Sequence, residues 1–136
     1  MPGTWDANIK LLSAVDDGQD FAVDTIDKNT NFDVLANLEI GSRLNEVVDR
    51  HDLFVQVRNL SQSNILAQQS LGEALAPQVN TTRNLEKRLD FNVPAGGWPA
   101  NEGDVLEAVA SYKVTAGVNT DYSASRSQLF IVSVGP

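Results

Sequence analysis

The single histidine, His51, and the acidic residues are the side chains in this sequence whose types allow chemistry. His51 sits in Asp49-Arg50-His51-Asp52, just before an apolar run. A Ser-His-Asp relay needs a histidine held between an acid and a nucleophile, and adjacency in sequence does not arrange that. His51 is therefore expected to be an exposed loop residue. One histidine without cysteine also makes a structural zinc site implausible, because such sites draw on several His or Cys ligands. Glycoside hydrolysis needs only two carboxylates, but among eighteen acids no pair falls in a recognisable pocket-forming context. The chain is read as non-catalytic and without a cofactor.

Calcium fits better than zinc, since it takes six to eight oxygen ligands. Asp16, Asp17 and Asp20 are the candidates, with Asp24 and Asp27 beyond them. The residue order of an EF-hand loop is absent, and aspartate with Gly18 suits a turn for backbone reasons alone. Turn chemistry is preferred, and no metal is expected. No phosphate-binding glycine loop is present, as Gly96-Gly97 has no lysine after it. That pair lies in Pro94-Ala95-Gly96-Gly97-Trp98-Pro99, the most unusual stretch of the chain. A loop tryptophan either closes the end of a core or stands exposed as a stacking platform for sugars. Trp98, with Tyr122 and Trp5, is thus the candidate ligand-binding set, and a core lid is the competing reading for each tryptophan.

Those residues need a scaffold, and its size and composition are ordinary. The 136 residues are 42% hydrophobic and 21% charged, which suits one domain over 1–136 able to bury a core unaided. Without cysteine there is no disulfide, and the compartment is left open. The two sequons, at Asn59 and Asn80, matter only in a eukaryotic secretory pathway. No signal-like opening and no apolar run near the ~20 residues of a membrane helix is seen. Ten basic against eighteen acidic residues give a net charge of −8, which argues against nucleic acid and anionic membranes as partners.

Period-two alternation supplies the elements. Phe32, Val34, Ala36, Leu38 and Ile40 alternate with a mostly polar set; Leu85, Lys87, Leu89, Phe91 and Val93 do the same. Asn8 to Val15 and Ser127 to Val134 also read as strands. Leu53, Phe54, Val55 and Val57 read as a strand buried on both faces. Phe21 and Val23 suggest a short strand before a polar loop over 24–31. Residues 63–76 and 104–116 admit either strand or helix. For the latter the unbroken alternation Leu106, Ala108, Ala110, Tyr112, Val114 and Ala116 favours strand over an Asp104–Glu107 capping box. Val118 to Ser125 reads as a hairpin loop.

The sum is an all-β chain, a single antiparallel β-sandwich of seven to eight strands. The segment Ser111-Tyr112-Lys113-Val114-Thr115-Ala116, then Tyr122-Ser123-Ala124-Ser125, then Leu129-Phe130-Ile131-Val132 resembles the last hairpin of immunoglobulin-like and fibronectin type III-like sandwiches. That resemblance implies an interaction or structural module with a protein partner or self-association. The alternative is a carbohydrate-binding sandwich that uses its loop tryptophans.

Overall fold

The computed structural model describes residues 5–134. Its described residues form nine strands and one helical turn. The strands are β1 (Ala7–Asp16), β2 (Thr25–Asp27), β3 (Phe32–Ile40), β4 (Arg50–Asn59), β5 (Asn64–Ala74), β6 (Arg83–Phe91), β7 (Val105–Ala116), β8 (Asn119–Arg126) and β9 (Phe130–Ser133), with α1 (Ser42–Asn45) between β3 and β4. Two sheets pack face to face. One is β1-β3-β6; the other runs β2-β9-β7-β4-β5, with β8 also paired to β7. The expected all-β sandwich is the observed architecture.

Alternation explains where the core sits. Val34, Ala36, Leu38 and Ile40 of β3 face Leu53, Val55 and Val57 of β4 and Leu106, Tyr112 and Val114 of β7 in one buried cluster. Each large apolar side chain buried here is worth about 1.5–3 kcal/mol. Phe32 is an aromatic hub: it stacks on Phe91 at 5.2 Å and lies 5.3 Å from Trp98 and 6.1 Å from Phe130. Rings from both sheets and one loop thus meet at a single point. Both contested segments are strands, β5 and β7.

Some expectations fail for identifiable reasons. Phe21 and Val23 form no strand; Val23 N–H bonds the Ala14 carbonyl and Ala22 bridges Val15, so this segment turns back along the edge of β1. The short strand is β2 instead, inside the expected polar loop. It pairs parallel with β9 and buries Ile26, and one inward residue leaves no alternation to read. Val118 to Ser125 is mostly β8 rather than loop; the turn before it is Gly117-Val118, with Gly117 at φ 62°. The β4 run is buried on one face only, since Phe54 is exposed beside buried Leu53 and Val55. Asp104 caps no helix: its carboxylate accepts from Asn101 N–H and from Asn59 Nδ2. The helical turn α1 carries no periodicity that sequence reading can detect, and the strand count is nine rather than seven or eight.

The sandwich is closed along one side by β8. Asp121 Oδ2 accepts from Ala7 N–H at 2.7 Å and Ser123 Oγ from Ile9 N–H at 3.2 Å. These side chains satisfy donors on the edge of β1 that no strand reaches.

Candidate functional site

The outer face of β1-β3-β6 carries a depression of about 580 Å³, which runs on into a second of about 150 Å³. Strand register builds it row by row. Asn8, Glu39 and Asn84 lie abreast, then Leu11, Asn37 and Glu86, then Ser13, Leu35 and Arg88, then Val15, Asp33 and Asp90. A bulge between Ile9 and Leu11 pushes Lys10 out of the ladder, and its ammonium pairs with Glu39 at 3.4 Å. Leu11 is left 55% exposed at the groove's centre.

Among the described residues, the side chains of Asn37, Asn84 and Glu86 make no hydrogen bond within the chain. Their donors and acceptors face the groove, which they line together with Lys10 and Leu11.

The last row differs, because it is acidic and partly buried. Asp33 is only 1% exposed, and Gly18 of the turn after β1 and Arg88 close on its carboxylate. Its Oδ2 accepts from Arg88 Nη1 at 2.6 Å and from Gly18 N–H at 3.1 Å. Its Oδ1 is buried without a partner. One oxygen each of Asp17, Asp33 and Asp90 lies within 4.8 Å of the others. A hydrogen bond shared with the Asp33 carboxylate, together with repulsion from it and from Asp17, pushes the Asp90 carboxyl above the usual aspartate range. Hydrogen bonding to Asp33 raises Arg88 further and keeps it charged. Asp20 pairs with Arg88, whereas Asp16 ends β1 outside this cluster. Of the three aspartates proposed from sequence as calcium candidates, only Asp17 joins the group; Asp33 and Asp90 were missed.

His51 is fully buried, not an exposed loop residue. It belongs to the inward set of β4, two residues before Leu53, and extending that alternation backwards finds it. Its Nδ1 lies 2.6 Å from Tyr112 Oη and its Nε2 2.7 Å from Glu73 Oε1. Hydrogen bonds from Lys87, 2.9 Å away, and from His51 hold Glu73 below the usual carboxylate range. An ionised carboxylate only accepts, so Nε2 carries a proton, and in the neutral ring Nδ1 then accepts from the tyrosine. Burial raises the Tyr112 phenol, which keeps it a donor. Both ring nitrogens are thus committed inside the protein, and the Glu73–Lys87 pair ties β5 to β6 across the sheets.

The aromatic candidates do not meet. Trp98 is buried, with Nε1–H donating to the Thr30 carbonyl at 2.9 Å, so its place is the core lid and not a stacking platform. Tyr122 is 68% exposed on β8 opposite Lys113, and Trp5 is half exposed ahead of β1. No ring contact joins these three among the described residues.

No protein-family model matches the chain, and no curated protein is significantly similar to it. Solved structures are similar in shape. The C-terminal domain of wzt aligns over 98% of this chain and 77% of its own, with a TM-score of 0.55 and 15% identity. A putative β-galactosidase from Bacteroides fragilis aligns over 88% of this chain and 17% of its own, with a TM-score of 0.46 and 12% identity. The likeness to the wzt domain extends to the all-β fold and does not single out the immunoglobulin-like one.

Proposed function

We propose that this domain is a non-catalytic binding module that takes a neutral saccharide along the outer face of β1-β3-β6. The observation that carries the reading is the set of side chains without a hydrogen bond in the chain, Asn37, Asn84 and Glu86, lining a groove of about 580 Å³ beside exposed Leu11. Sugar hydroxyls donate and accept at once, as carboxamides do, and the C–H face of a pyranose suits a leucine side chain. A peptide gains less there, because the sheet's own ladders use the backbone groups beneath. Glu39, Glu86 and Asp20 disfavour an anionic ligand. The wzt C-terminal domain shares the scaffold, and the chemistry rests on these side chains.

One further observation favours binding without catalysis. His51 has no free nitrogen and no exposure.

Titration calorimetry against a panel of neutral oligosaccharides tests the proposal. Binding should weaken by about tenfold in Asn37→Ala and in Glu86→Ala, the loss expected for one hydrogen-bonding group. It should persist in Phe54→Thr, which alters the smaller depression of about 270 Å³ on the opposite face. Absence of binding across the panel, or its loss in Phe54→Thr alone, would sink the assignment. The protein-partner reading has one observation of its own, the long outer strand β5, which pairs with β4 alone. Concentration-dependent mass in light scattering would favour it.

A further inference from the structure

The acidic end of this face holds more negative charge than its cation offsets. Asp17, Asp20, Asp33 and Asp90 gather there, and the arginine paired with them is Arg88. Like charges this close destabilise the fold unless a proton or a cation sits among them. Asp33 is the decisive residue. It is buried, and one of its oxygens is satisfied by Arg88 and Gly18 while the other has no donor. An unpaired buried carboxylate oxygen is costly, and native proteins rarely leave one without a partner.

We propose that Asp17, Asp33 and Asp90 form a calcium-binding site that pins the turn after β1 to the edge of the three-stranded sheet. The donors favour calcium. Carboxylate oxygens suit a hard cation, and calcium accepts irregular geometry where magnesium demands a near-ideal octahedron. The three oxygens lie close enough to one another to share one ion. Asp33 Oδ1 supplies the free lone pairs, Asp17 comes from the turn and Asp90 from β6, so the ion joins three separate parts of the chain. Water and backbone carbonyls complete the six to eight ligands calcium takes. The site stands whether or not the neighbouring groove takes a saccharide.

Calorimetric titration of the chelator-treated chain with calcium chloride, and separately with magnesium chloride, tests this, with thermal melts alongside. One saturable calcium site is expected, with a higher Tm in calcium and weaker binding of magnesium. Asp17→Asn and Asp90→Asn should each lose the site yet melt, without metal, no lower than the wild type, because each removes a like charge. Asp24→Asn, outside the cluster, should retain it. No heat and no change in Tm at millimolar calcium would overturn the proposal. So would undiminished binding in both cluster variants, and magnesium binding as tightly as calcium would overturn the choice of ion.

Discussion

Single residues in this protein are held by partners that composition does not reveal. Gly97 has φ 92°, and a Cβ there would stand 3.1 Å from the Lys28 carbonyl, where backbone must yield. That close approach lets Trp98 N–H reach the same carbonyl at 2.8 Å and seats the indole against Phe32. Gly97→Ala should cost about 1–3 kcal/mol in chemical denaturation. In Trp5→Phe, the remaining Trp98 emission should be blue-shifted and resist acrylamide; a red-shifted, quenchable signal would place that ring outside the core. Tyr112→Phe removes the donor to His51 Nδ1 and leaves a buried nitrogen unsatisfied, at about 1–3 kcal/mol.

Asp104 gives a residue-scale prediction in pH. Hydrogen bonds from Asn101 N–H and Asn59 hold its carboxyl below the usual range. The unfolded chain therefore binds the proton more readily, and stability rises with pH through that window. The gap in stability between wild type and Asp104→Asn should be full at neutral pH. It should close as the pH falls below about 3.8, the ordinary value of that group. A gap unchanged in acid would show that the charge contributes nothing.

At the scale of elements, β8 shows how an edge can be completed by side chains. Asp121 and Ser123 take the place of a neighbouring strand along β1. Asp121→Ala together with Ser123→Ala should speed hydrogen exchange at Ala7 and Ile9 while Leu12 and Ala14, deeper in the ladder, change little. This scale also shows what sequence could reveal. The alternations of β3, β6 and β7 were legible, because one face of β3 and of β7 is apolar for its whole length and that of β6 is broken only by Arg83 and Lys87. β8 was not, since Asp121 and Ser123 point inward to bond a backbone and look like loop residues. Asp33 was legible as a polar partner within β3, but Gly18 of the turn after β1 and Arg88 of β6 close on it, and periodicity along β3 carries no trace of that. The groove shares this limit. Asn37 and Glu86 lie far apart in sequence and become neighbours only through the β3–β6 register. Trp98 was singled out correctly as unusual, and its burial decided between the two readings.

Across the whole molecule, β2 and β9 are the most distant elements in sequence that pair as neighbouring strands. Thr25 pairs with Ile131 and Ile26 with Val132, and Phe130 of the same strand completes the ring cluster around Phe32. On the ribosome this pairing imposes a wait. About 106 residues separate the paired positions, and at about 5–20 residues per second the nascent chain spends roughly 5–20 s before β9 exists. Throughout that interval Ile26 lacks its cover, and Leu106 lacks it from the moment β7 is made. Ribosome-stalled chains ending before Phe130 should therefore be protease-sensitive throughout, while chains extended beyond Ser133 and clear of the exit tunnel should resist. Such a domain spends its birth exposed to chaperones and closes in one late step.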